Sequence, residues 1–174
     1  MPALQRITTE FVETEDRMRL SGENDAGEII SFWLTQRLLI RLINHLVASL
    51  EEIAPDIKAQ QLHDQRISEM LQEMEQQSAQ AQMAEQSPVR DPNIHRTWLA
   101  QEVDVKKAEQ QILLSFRGKE SACADLALED QHLRQWLAIL HRLWKQAQWP
   151  STIWPKWITD VAPEKEINLD SALH

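Results

Sequence analysis

The chain has 174 residues, 43% of them hydrophobic, which is enough for one ordinary domain with its own core. Its net charge of −9 argues against a general nucleic-acid binder, whose surface normally carries a basic excess, so no nucleic-acid partner is expected. Only three glycines occur, which excludes a Gly-rich phosphate loop or a dinucleotide fingerprint, and the single cysteine allows no internal disulfide.

The start, MPALQRITTEF, has no apolar segment of the kind a secretion signal carries. The most apolar run, FWLTQRLLIRLINHLVASL, is broken by Arg37, Arg41, Asn44 and His45 and falls short of the roughly 18 apolar residues a membrane span needs. The expectation is a cytoplasmic protein with no membrane partner, a setting that also suits the lone Cys123.

From Leu4 to Thr14, Ile7, Thr9 and Phe11 alternate to one side, the pattern of a half-buried strand. Arg17–Ser21 alternates again with Met18 and Leu20 inward. Gly22–Gly27 has turn chemistry, and Glu28–Leu34 gives a third strand with Ile30, Phe32 and Leu34 on one face. The period then changes. Leu38, Leu39, Leu42, Ile43, Leu46, Val47 and Leu50 recur at helical spacing behind Thr35, a suitable N-cap, and Pro55 should end that helix. Asp56–Gln86 is rich in Gln, Glu, Met and Ala. Its apolar stripe of Leu62, Ile67, Met70, Leu71 and Met74 fades after Met74, which predicts a surface helix to about that residue and a polar tail up to the linker SPVRDP.

The opening theme then returns. Trp98–Lys107, Gln111–Phe116 and Ala122–Leu128 read as strands, and Asp130 should cap a helix carrying Leu133, Trp136, Leu137, Leu140, Leu143 and Trp144. After Trp149-Pro150 the chain reads as an extended tail. The halves align without a gap at an offset of 94: Glu15 with Glu109, Leu20 with Leu114, Ser21 with Ser115, Leu34 with Leu128, Leu39 with Leu133, Leu46 with Leu140. The predicted architecture is α+β: two βββα units at 1–54 and 93–148, a Gln-rich connector at 55–92 and a Trp/Pro-rich tail at 149–174, together one compact domain. The order of three strands, two helices, three strands and a helix resembles that of the head domains of end-joining scaffold proteins in DNA repair, which place a helical pair between strand groups. The likeness is of element order, with no matching residue motif and no long C-terminal stalk, and no function is drawn from it.

Catalytic signatures are thin. His45, His63, His95, His132, His141 and His174 include no pair at the i, i+3 or i, i+4 spacing that places two metal ligands on one helix face, so neither a metal nor a cofactor is expected. Cys123 has no neighbouring base to make a thiolate. The acidic groups Glu13, Glu15, Asp16 and Glu129, Asp130 read as turn and helix-start residues. Two features lack an obvious home. The second sheet face carries Trp33 and Ile29 among polar residues, to be covered either by the helical segment Asp56–Met74 or by a second subunit. The stretch LWKQAQWPSTIWPKWI packs four Trp and two Pro into sixteen positions. Trp leads the interface hot spots, so Trp149, Trp154 and Trp157 are either a core cap or, with Trp33 and Ile29, a partner-binding surface. The expected function is a non-catalytic interaction or assembly module, expected as a homodimer. The alternative is a small-ligand binder or enzyme with a site between the units, with candidates His95, Cys123, Asp125 and His132.

Overall fold

The computed structural model describes residues 2–52 and 61–161, with backbone alone at 61–64. Strands β1 (Ala3–Val12), β2 (Arg17–Asn24) and β3 (Ile29–Leu34) run as an antiparallel meander into helix α1 (Gln36–Glu51). Helix α2 (Gln61–Ala81) follows. Then β4 (Trp98–Leu99), β5 (Glu102–Lys107), β6 (Gln111–Arg117) and β7 (Cys123–Glu129) lead into α3 (Asp130–Gln146), and a short α4 (Lys156–Thr159) closes the described chain. All seven strands form one mixed sheet in the order β4-β3-β2-β1-β7-β6-β5, so the fold is α+β.

The sheet is rolled until its two ends share one stretch of chain. Segment 98–107 pairs with β3 at its start and with β6 along the rest: Ala100 N donates to Trp33 O at 3.0 Å, and the next residue, Gln101, donates from N to Arg117 O at 2.8 Å. Gly118 makes this approach possible, since a Cβ there would lie 2.8 Å from the Leu99 carbonyl oxygen and 2.6 Å from the Trp98 ring. The two parallel junctions of the sheet are equivalent. Leu4 pairs with Leu126 in one and Trp98 with Phe32 in the other, and 94 positions separate Leu4 from Trp98 and Phe32 from Leu126. The same offset separates the first residues of β2 and β6, of β3 and β7, and of α1 and α3. Each half therefore supplies the strand that closes the other half's sheet.

Met18, Leu20, Phe32, Leu34, Leu114, Phe116, Leu126 and Leu128 line the inner face and pack against α1 and α3. Phe32 lies between Trp98 and Phe116, both centroids at 4.8 Å. Helix α3 is the centre of the molecule. Residues from Leu133 to His141 are buried without interruption, because the sheet takes one side and α2 and α4 the others.

Four local expectations change. Gly22 belongs to β2, not to a turn: a Cβ there would sit 2.5 Å from Leu4 Cδ1, so the residue serves close strand packing. Helix α2 continues to Ala81, because Gln72, Gln76 and Ala79 are buried beyond the point where its apolar stripe fades. Glu129, not Asp130, is the N-cap of α3, and its side chain makes no cap bond. The segment after Pro150 is compact, with a 3-10 turn at Ser151–Ile153 and then α4.

Candidate functional site

The tail tryptophans lie in the core. Trp149, Trp154 and Trp157 are 8, 6 and 4% exposed. Trp144 meets Trp149 and Trp154 edge to face, at 4.7 and 5.7 Å. Three indole N–H groups are anchored: Trp144 to Pro150 O at 2.9 Å, Trp149 to Asp16 Oδ1 at 3.0 Å and Trp157 to Glu51 Oε1 at 3.0 Å. The sequence reading that these rings cap the core describes their surroundings. As a contact surface they present almost no area. Trp33 is half-buried under the Arg19 guanidinium, 5.8 Å from the ring centroid, and Arg19 is paired with Glu10. Ile29, also half-buried, sits at the start of β3. The five residues are not brought into one patch.

The site alternative fares no better around its named residues. His95 is exposed in the turn before β4, and Cys123 opens β7. His132 stands on α3 beyond the opposite end of β7, about 20 Å of strand away. Asp125 lies on β7 with Oδ1 buried and without a partner among the described residues. Among the described residues, no three His, Cys, Asp or Glu side chains group to hold a metal ion, and no helix is long and apolar enough to cross a membrane.

A groove does lie between the halves. It holds about 500 Å³ between α1, through Leu38, Arg41, Leu42 and His45, and residues 101–105 of the closing segment. Its equivalent in the other half is filled. Trp136 stands where Leu42 stands in α1, and its indole N–H reaches Thr9 Oγ1 at 3.0 Å, Thr9 being the counterpart of Val103. The smaller Leu42 leaves the space open.

The largest departure from ordinary burial is on α2. Its buried face is polar. Gln72 Nε2 donates to Leu50 O at 2.6 Å, Arg134 Nη2 donates to Gln72 Oε1 at 2.6 Å, Gln76 Nε2 donates to Arg134 O at 2.9 Å, and Gln135 Nε2 donates to Ala79 O at 2.9 Å. Arg134 is 4% exposed, lies 5.4 Å from the Trp157 ring centroid and has no carboxylate within ion-pair distance among the described residues. Burial lowers its pKa from the ordinary arginine value, with Asp130 and Glu75 pulling the other way. The opposite face of α2 is apolar and faces water: Ile67 is 46% exposed, Met70 59%, Leu71 46% and Met74 59%. At 3.6 residues per turn, this stripe and the Gln72–Gln76–Ala79 face point about 160° apart. Of the six large exposed hydrophobic side chains among the described residues, four are in this stripe.

Sequence reasoning found the stripe and offered the segment that carries it as a cover for the second sheet face, whereas α2 packs on α1, α3 and α4 with the stripe outward. The available signal was on the other face, where Gln72, Gln76 and Ala79 align as uncharged residues in the C-terminal half of the helix, beyond Glu69. No family model, curated protein or solved structure matches this chain.

Proposed function

We propose that this chain is a non-catalytic protein–protein interaction or assembly module, and that α2 is its contact surface. The observation that carries this reading is the rotation of α2. Four apolar side chains at i, i+3, i+4 and i+7 stand about half exposed to water, where covering the rest of each is worth roughly 1 kcal/mol. A half-turn of the helix would bury them, yet buried hydrogen bonds to Arg134, Leu50 and Gln135 hold it the other way. Contiguous exposed apolar surface on a folded chain marks interaction sites, and Met adapts readily to a partner's shape. The lone thiol suits action in the cytoplasm, and the acidic charge gives no reason to expect a nucleic-acid partner.

A photo-reactive side chain at Met70 tests this, with one at the exposed Lys119 as control. Saturable adducts in native extract from position 70 alone are expected. Equal or absent adducts at both positions would sink the reading. The groove between α1 and β5 supports a second reading, a small amphiphilic ligand held by Leu38, Leu42 and Val103 with Arg41 and His45 at its polar end. A ligand screen that raises the melting temperature of the wild type but not of Leu42→Trp would favour it.

A further inference from the structure

We infer that the groove between α1 and β5 binds an α-amino acid whose side chain is an aromatic ring of carbon alone, of the phenylalanine kind; this rests on the second reading above, the groove as a ligand site. The other half of the molecule shows what fits. There α3 packs on β1, and the fully buried Trp136 ring reaches from one to the other. Phe11 adds a second ring, edge to face with Trp149 at 5.7 Å. At the equivalent positions, displaced by 94, Leu42 stands for Trp136, Val103 for Thr9 and Val105 for Phe11. Both rings are gone, and a groove of about 500 Å³ stands there instead, within the size range of small-molecule sites. Leu38, Val103 and Val105 are only half-buried along it. A ring laid between Leu42 and Val103 completes a packing that the fold already uses once.

The lining decides which ring. Trp136 donates its indole N–H to Thr9 Oγ1 at 3.0 Å. Val103 offers a methyl group where Thr9 offers that acceptor, so a ring carrying an N–H would lose a hydrogen bond there. A phenyl ring loses nothing. The charges decide what the ring carries. On the helix wall, Arg41 has no hydrogen-bond or ion-pair partner among the described residues, and His45 stands one turn further on. On the strand wall, Asp104 and Glu102 both reach Arg117, at 2.5 and 3.5 Å. Two carboxylates share that one guanidinium, so the strand wall keeps a net negative charge opposite the free Arg41. A ring bearing only an anion would meet the carboxylates, and one bearing only a cation would meet Arg41. A zwitterion, with its carboxylate toward Arg41 and its ammonium toward Glu102 and Asp104, suits both walls.

The test follows the methyl and amide NMR signals of the full chain while phenylalanine, tryptophan, leucine, phenylacetate, phenethylamine and decanoate are added in separate titrations. Phenylalanine should give saturable shifts centred on Leu38, Val103 and Val105, with a dissociation constant of about 1 mM or lower. Leucine, phenylacetate and phenethylamine should each bind about fivefold more weakly or worse. Arg41→Gln should weaken phenylalanine about fivefold and leave phenethylamine unchanged. Val103→Thr restores the acceptor found at Thr9 and should move the preference toward tryptophan. Leu42→Trp supplies the ring that the other half holds and should abolish binding. Arg41 is exposed and Val103 half-buried, so their variants keep the test decisive should Leu42→Trp fail to fold.

Phenylacetate or phenethylamine binding as tightly as phenylalanine would overturn the amino-acid assignment, and leucine binding as tightly would overturn the ring. So would a Val103→Thr chain with an unchanged preference. If decanoate alone shifts the groove signals, the ligand class falls and the groove survives as a ligand site. If no probe shifts them, or the shifts persist in a folded Leu42→Trp, the inference and the groove reading fall together.

Discussion

Arg134 carries a charge into the middle of the helical layer with amide, carbonyl and aromatic partners among the described residues. Its guanidinium is held by Gln72 and by the face of Trp157, and its Nε has no hydrogen-bond partner among the described residues. Such a group is stable only while its remaining partners stay in place. Gln72→Leu should therefore destabilise the chain by about 2–3 kcal/mol, the cost of stripping a hydrogen bond from a buried charge. Arg134→Met in the same chain should recover most of the loss, because the uncompensated charge goes with it. Urea unfolding of the four members of this cycle measures the coupling, and additive losses would refute it. His141 is a second buried base on α3. It packs edge to face on Trp154 at 5.0 Å, and burial, with Lys145 nearby, lowers its pKa from 6.5 to about 4. The unfolded chain then binds a proton that the folded chain refuses between pH 6.5 and 4, so stability falls as pH drops through that window. Melting temperatures from pH 7 to 5 should decline in the wild type and decline less in His141→Gln.

At the scale of elements, the strands and the two long helices follow their local patterns. Thr35 caps α1 as its position suggests, its Oγ1 accepting from Leu38 N at 3.2 Å. The tail behaves differently. Its tryptophans anchor it on α1, α3 and the β1–β2 turn, so it functions as part of the core. Trp154→Ala with Trp157→Ala should cost at least about 3–5 kcal/mol and shift the unfolding midpoint accordingly. A folded double variant with unchanged stability would show that these rings are dispensable to the core. Trp154→Phe should be close to neutral, since it keeps a ring and removes an indole N–H that has no partner among the described residues. Legibility differed between the helices for one reason. In α1 and α3 the apolar residues outnumber the alternatives on one face, and burial wins. In α2 a short apolar stripe competes with a face tied down by buried hydrogen bonds, and those bonds exist only once Arg134, Leu50 and Gln135 are in place.

For the whole molecule, the reciprocal strand exchange explains why the halves cannot be separate domains. β1 closes on β7 and the start of segment 98–107 closes on β3, with equivalent residues at both junctions. This exchange ties the two halves together through both parallel junctions. It also predicts that the chain cut between Gln86 and Ser87, both exposed, reassembles from two co-expressed fragments, while each fragment alone stays unfolded or aggregates through its open sheet edges. Co-purification of an untagged fragment with its tagged counterpart measures this; a fragment that folds alone would contradict it.

Periodicity and capping residues are local properties, and from them the sequence alone determined the element types, most of their bounds, the inward faces of the strands and the α+β class. Three matters were decided only by the tertiary structure. The roll of seven strands into one sheet depends on which edges meet. The burial of the tail tryptophans depends on hydrogen-bond acceptors more than a hundred positions away, at Asp16 and Glu51. The outward turn of the α2 stripe depends on a buried arginine 62 positions along the chain. In each case the deciding energy belongs to groups far apart in sequence, and no window along the chain contains both partners.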